Sequence, residues 1–278
     1  MKNLKNVISQ PHGFKVWKGV LKLMRVFHSH SDLEINYILN GRAKYIHGGK
    51  FYEILPNQFA IFWGGVPHSV VEVEENSETI WLTLPIEWIV TWYIKGNLIE
   101  KLLAGEMIIQ PIEQKNIAYE STLLNNWVEE YNLNNNDYLK NIQLELEVKI
   151  RRLNQWLESS KYNYQLPTTT VHKNFHHLIE LISNQYLTIN NMDELGGQLS
   201  MHPKYLTQMF KKHTDINAWD YIVHLRIAHA QRLLITSKKK IIDICFESGF
   251  QTTSNFYSIF KKYNNETSPA AYRKRIQG

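Results

Sequence analysis

Between Val16 and Leu84 apolar and polar residues alternate in short runs, as in Leu21-Lys22-Leu23-Met24-Arg25-Val26 and Glu34-Ile35-Asn36-Tyr37-Ile38-Leu39. Asn40-Gly41, His47-Gly48-Gly49 and Gly64-Gly65 interrupt them. A period of two between turn signals at this spacing predicts short antiparallel strands in a sandwich or barrel. Beyond Pro111 the period becomes helical. Ile117 to Tyr131 places Leu123, Leu124, Trp127 and Val128 on one side. A longer helix over about 137–159 sets Leu139, Ile142, Leu146, Leu153 and Trp156 at heptad a and d sites, with Lys149 breaking the series. That stripe has two equal readings, dimerisation or packing on the outside of the barrel. Residues 159–171 are polar, contain Pro167 and lack periodicity, as an interdomain linker does.

From Phe175 the chain is helical again and repeats itself. Leu178, Ile179, Ile182 and Tyr186 are spaced for burial on a scaffold helix. Asn190, with Asp193 three residues on, predicts the cap of a helix ending near Leu199, and Pro203 opens the next. There Leu206 and Phe210 face inward, leaving Lys204, Thr207 and Gln208 on the opposite side. A long helix over Asn217–Ile235 leads to a second copy of the pattern. Ile241, Ile244 and Cys245 point in, Gly249 supplies a tight turn and Thr252 caps the following helix. In that helix Phe256, Ile259 and Phe260 are inward, and Thr253, Ser254, Asn255, Tyr257 and Ser258 stay outside. Both copies end in Phe-Lys-Lys, at residues 210–212 and 260–262. Two helix-turn-helix units in tandem predict a double-stranded DNA partner. The first, longer and more basic, is the better base reader.

The predicted fold class is therefore α+β. A β-barrel over 1–112 is followed by a helical segment over 113–160, which is the candidate for dimerisation, and a linker over 161–172. An all-α domain over 173–278 carries the two helix-turn-helix units. Charge follows this division. Residues from 173 onward hold 14 Lys plus Arg against 8 Asp plus Glu, a difference of +6 beside a formal +5 for the whole chain. A basic domain behind a near-neutral one points only the former at a polyanion. Lys204, Lys211, Lys261 and Lys262 are the candidate phosphate contacts. One cysteine, no signal-type leader, and an apolar run at 80–94 broken by Pro85 and Glu87 predict a cytoplasmic protein without a membrane partner.

The barrel carries the remaining chemistry. In FHSHSDLEINYILNG, His28 and His30 lie two apart on a strand and so share a side, with Glu34 close behind; His68 follows in LPNQFAIFWGGVPHS. Imidazoles with one carboxylate suit a divalent transition metal, and the same groups can bind a small molecule or hydrogen-bond among themselves. Aromatic residues are dense nearby. Trp63 is the candidate ring for stacking on a sugar, and Arg25, His28, His30, Glu34, Arg42 and His68 are the candidate polar contacts. No cofactor is required by this reading, and a metal held by His28, His30, Glu34 and His68 is its variant.

These two segments resemble the two cupin motifs, which in metal-binding cupins converge on one ion. The C-terminal hundred residues closely resemble the DNA-binding domain of AraC-family transcription regulators. The resemblance is carried by Leu195, the YLTQMFKK run, Tyr221, Arg226, Ala230, Leu233-Leu234, Thr236, Ile241, Gly249-Phe250, Phe256, Phe260-Lys261-Lys262 and Ser268-Pro269 with Tyr272-Arg273. It implies two recognition helices in successive major-groove segments on one face of the duplex. His202 departs from the family's usual capping serine or threonine. FHSHSDLEINYILNG, IFWGGVPHSV and LPIEWIVTWYIKGNLIEKLLAGEMI resemble melibiose-operon-type regulators within the family. That implies an activator that works with RNA polymerase, as a homodimer, in response to a sugar such as an α-galactoside. The alternatives are a metal or other small-molecule effector, and a metal-dependent cupin enzyme, against which the tandem units weigh heavily.

Overall fold

Strand alternation in this chain serves two buried faces at once. The computed structural model describes residues 13–133, 135–160, 173–214 and 216–277; the expected linker at 161–172 and the side chain of Arg25 lie outside the described residues. The strands are β1 (Lys15–Val20), β2 (Met24–His28), β3 (Leu33–Asn40), β4 (Ala43–His47), β5 (Lys50–Ile54), β6 (Gln58–Trp63), β7 (His68–Val73), β8 (Glu78–Leu84) and β9 (Ile108–Pro111). They pair antiparallel in two sheets, β1-β8-β3-β6-β9 and β2-β7-β4-β5. On β3 the polar Glu34 and Asn36 face the space between the sheets, where Tyr45 of β4 donates to Asn36 Oδ1 and Asn36 donates to Glu34 Oε1. Leu33, Ile35 and Tyr37, on the other side of the strand, join the main core.

Helices cover that outer face. The broken apolar run at 80–94 holds the short α1 (Ile86–Thr91), started by Pro85, and α2 (Leu98–Leu103) follows it. A 3-10 turn leads into α3 (Ile117–Asn132), and α4 (Asn136–Ser159) returns antiparallel to it. Trp127 of α3 donates to Glu145 of α4 at 2.7 Å. The buried stripe of α4 is Ile142, Leu146, Lys149, Ile150, Leu153 and Leu157, while Leu139 and Trp156 are only half covered. Lys149 breaks the heptad because it faces protein of this same chain. Its ammonium lies 2.6 Å from Glu120 of α3 and 4.7 Å from the centre of the Phe59 ring on β6. The stripe therefore packs on the barrel. The helix leaves Leu144 and Val148 exposed elsewhere on its surface.

The C-terminal part consists of α5 (Lys173–Gln185), α6 (Met192–Leu199), α7 (Pro203–Thr214), α8 (Ala218–Thr236), α9 (Ile241–Glu247), α10 (Thr253–Tyr263) and α11 (Pro269–Gln277). The cap of α6 is Asn191, one residue later than the sequence pattern suggests: its side chain accepts from Glu194 N, and Glu194 in return accepts from Asn190 N. His202 acts as a cap for α7, since its Nδ1 accepts from Lys204 N at 3.2 Å. Asn217 and Thr252 cap α8 and α10. Gly249 has φ +80°, and a Cβ there would lie 2.6 Å from Leu187 O and 2.9 Å from Arg226 Nε. It gives Arg226 room to donate to the carbonyls of Tyr186 and Ile189, which ties α8 to the chain after α5.

One apolar core runs through both halves. Phe27 of β2 is fully buried, stacked on Phe210 of α7 at 6.4 Å and tilted on Tyr221 of α8 at 4.8 Å. The β4–β5 hairpin presses against α5: Gly48 and Gly49 both have positive φ, and a Cβ on Gly49 would collide with Ser183. Glu87 of α1 pairs with Arg275 of α11 at 3.3 Å.

His224 lies in this interface, near Ser29 of the barrel and edge-on to the Tyr263 ring. Burial, and then the Lys262 ammonium, push its imidazole down to about 3. An unfolded histidine titrates near 6.5, so the unfolded chain takes up the proton first. This contribution to stability is complete above about pH 6.5 and is lost as the pH falls toward 3. The slope for one proton is about 1.4 kcal/mol per pH unit. Burial also pushes His47 and His229 down, to about 3 and about 4. Urea unfolding between pH 7 and 5 should therefore show a steep loss of stability, and His224→Gln should remove only the share of His224 from that slope.

Candidate functional site

Two constellations meet the expectations for chemistry, one inside the barrel and one on the helical domain. In the barrel, strand pairing sets His28 of β2 opposite His68 of β7, and His68 opposite His47 of β4. Glu34 and His30 approach from the other side. His30 Nε2 donates to Glu34 Oε2 at 3.1 Å, and His68 Nε2 lies 3.4 Å from the same oxygen. His68 Nδ1 donates to Val66 O at 2.9 Å, which orients the ring with Nε2 toward the carboxylate. Burial acts to raise the Glu34 carboxyl, but hydrogen bonds from His30 and His68, together with their charge, outweigh it and hold the group well below the usual carboxylate range. Burial, then the neighbouring His68, lowers the imidazole of His28.

One ligand atom from each of His28, His30, Glu34 and His68 can be chosen so that all lie within 4.8 Å of one another. Three imidazoles and one carboxylate at that separation fit a single divalent transition ion. Asn36, bonded to Glu34, and the Val66 carbonyl, bonded to His68, supply the outer contacts that hold such ligands in place. The cavity that His30 borders, toward Ser29, Ser31 and His224, is about 30 Å³. That is room for about one water, far short of a sugar.

The other expected barrel contacts do not converge here. Trp63 pairs in register with Leu33 and shares its outward face; it is wholly buried in the main core and donates to Ser31 O. Its neighbour Phe62 is the residue that reaches the interior, with its ring 5.0 Å from His68 and 4.8 Å from His47. Arg42 lies at the far end of β4 from His47, half-exposed, and pairs with Glu53 and Glu74. The sequence reading missed His47, Asn36 and Tyr45. The alternation of Tyr45 with His47 on β4 was the available signal for two of them.

On the helical domain, α7 buries Leu206, Met209 and Phe210 and exposes Lys204, Gln208 and Lys211. Thr207 is half-buried and its hydroxyl donates back to Pro203 O, so part of its bonding capacity is used within the helix. Tyr205 and Lys212 are exposed on the same helix and extend the expected set. On α10, Phe256 and Phe260 are buried. Ser254, Asn255, Tyr257, Ser258 and Lys261 are exposed, and Thr253 is half-exposed at the first turn. Lys262 is exposed too, but it leans over the Tyr263 ring, near Asp220 and His224 of α8, rather than along the line of Ser254, Tyr257 and Lys261. No described helix is long and apolar enough to cross a membrane.

Comparison with known families matches residues 24–114 to an AraC-like ligand binding domain and residues 195–275 to a helix-turn-helix domain. Over 266 residues the chain is 25% identical to the melibiose operon regulatory protein of Escherichia coli (strain K12), covering 92% of this chain and 85% of that protein. Over 122 residues it is 26% identical to the raffinose operon transcriptional regulatory protein of Pediococcus pentosaceus, covering 44% of this chain and 43% of that one. Among solved structures, ToxT from Vibrio cholerae O395 is 19% identical with a TM-score of 0.37, covering 96% of this chain and 99% of that chain.

Proposed function

Because the chain belongs to the AraC family of transcription regulators, we propose that it activates transcription in response to a small carbohydrate bound by its N-terminal domain. The observation that carries this is structural: the helix whose exposed face bears Lys204, Gln208 and Lys211 has its buried Phe210 stacked on Phe27 of the ligand-binding barrel. A change in the barrel thereby reaches a DNA-reading helix through one side-chain contact. Support for the carbohydrate comes from the relatives' names, since melibiose and raffinose both contain an α-galactosyl unit. RNA polymerase as partner, and a homodimer formed through exposed positions of α4 such as Leu144 and Val148, belong to the same proposal.

Lys204, Lys211 and Lys261 contact phosphates in this reading, while Gln208 and the α10 residues Thr253, Ser254, Asn255, Tyr257 and Ser258 face the groove. A duplex selected from a random pool by the full chain provides the test. Melibiose or raffinose should change the affinity for that duplex, and equal affinity with and without either sugar counts against a galactoside effector. Gln208→Ala should weaken binding by about 1–3 kcal/mol and relax the preference at one base position. Lys261→Ala should weaken binding to all sequences alike and lower the salt slope by about one ion.

The histidine cluster supports a second function for the barrel. Its four converging donors are arranged as a divalent transition-metal site, which would cross-link β2, β3 and β7 from inside. Metal analysis of protein purified without added metal should find about one ion per chain, and Glu34→Gln with His68→Ala should remove it. Protein that is metal-free and keeps its melting temperature on zinc addition would leave the cluster a hydrogen-bonded network only.

A further inference from the structure

The crevice beside His30 has room for about one water, yet a cavity of suitable size and chemistry lies on the outer face of the sheet that carries Glu34. Between the edge strand β9 and helices α3 and α4 is a cavity of about 340 Å³. That is within the range of small-molecule sites, which starts at about 300 Å³. Gln110, Tyr119, Glu120, Lys149, Arg152 and Trp156 line it.

Two of these residues present buried oxygens with no hydrogen-bond partner among the described residues, Gln110 Oε1 and Glu120 Oε2. Glu120 is more than nine-tenths buried, and only its Oε1 is satisfied, by Lys149. A buried acceptor left unbonded is costly, and a charged one more so. Both oxygens need donors. Arg152 is exposed beside them and offers donors in turn. Trp156, half-buried, and Tyr119, largely exposed, provide two flat rings. Rings flanking both acceptors and donors suit a neutral ligand rich in hydroxyls, because C–H faces stack while hydroxyls both donate and accept. An anion fits poorly, since it would bring further acceptors to Gln110 and Glu120.

We infer that this cavity between β9, α3 and α4 is a carbohydrate site, taking a mono- or oligosaccharide against Trp156 with its hydroxyls on Glu120 and Gln110. The inference rests on the carbohydrate reading above and relocates the sugar from the interior of the barrel to its helix-covered face. Trp156 stands in the last turn of α4, which is the last described element before the helical domain. A sugar bridging β9 and α4 would thus fix the end of the segment that leads toward the DNA-binding units.

Calorimetry on the full chain with melibiose and raffinose, and with maltose as control, tests this. Wild type should bind at least one galactoside. Trp156→Ala, Gln110→Leu and Arg152→Ala should each weaken binding by about tenfold or more, since tenfold corresponds to about 1.4 kcal/mol. Melting temperatures report whether each variant folds, and Arg152→Ala, at an exposed position, keeps the test decisive if Trp156→Ala does not. Galactoside binding that survives unchanged in the folded groove variants overturns the inference and leaves the carbohydrate reading standing, all the more so if His68→Ala abolishes it. A wild type that binds none of the sugars overturns both.

Discussion

A β-strand can aim its side chains in only two directions, and β2 has both directions committed. Phe27 points out of the barrel into the ring cluster of Phe210 and Tyr221, while His28 points in toward His68. The next pair repeats the division, with Ser29 near His224 of α8 and His30 bonded to Glu34. The polar cluster of the barrel and the docking of the helical domain therefore fall to adjacent residues of one strand, and close packing on both sides leaves little slack between them. His28, Phe27 and Phe210 link the barrel interior to α7 through adjacent side chains.

The same two-sidedness explains how polar groups come to lie inside the barrel, beside the apolar Ile38, Ala60, Phe62 and Val70. An open antiparallel sheet usually turns its polar face to water. Here α3 and α4 cover the outer face of the β1-β8-β3-β6-β9 sheet, so the apolar set of β3, Leu33, Ile35 and Tyr37, belongs under the helices. Glu34 and Asn36 share the interior with a second apolar cluster, and they survive burial because His30 and Tyr45 bond to them and they bond to each other. Lys149 is the corresponding cost on the outer face. Its charge is kept by Glu120 and the Phe59 ring, and breaking such a buried pair from one side costs about 3–5 kcal/mol.

What could be read from the sequence depended on how local the determining physics is. The helix-turn-helix units were legible nearly residue by residue, because caps, a first-turn proline and the inward Leu206, Phe210, Phe256 and Phe260 are set within one or two turns of helix. Even the misplacement of the α6 cap by one residue is of this kind, as two asparagines in a row offer the same side chain. Of the four clustered barrel residues, His28 and His30 were legible from their spacing, and Glu34 and His68 from the likeness to the cupin motifs. Trp63 was not, because the side on which a strand residue falls depends on which face of its sheet is covered, and the residues beside it, such as Leu103 of α2 and Leu225 of α8, come from later in the chain. Lys149 looked like a defect in a dimer seam for the same reason: its partners, Glu120 and Phe59, are distant in the chain.

The two recognition helices are coupled to the barrel through different elements. α7 touches it directly, through Phe210 on Phe27. α10 is connected through α11, where Tyr272 packs edge-on to Phe260 and Arg275 reaches Glu87 of α1. Between them lies α8, buried on nearly every side over its 19 residues and clamped by Arg226 to the carbonyls after α5. A helix enclosed in this way is a rigid spacer. The separation of α7 and α10 is thus a fixed property of the helical domain. The contacts around Phe27 and Arg275 join the barrel to the helical domain, while the outward faces of α7 and α10 stay exposed.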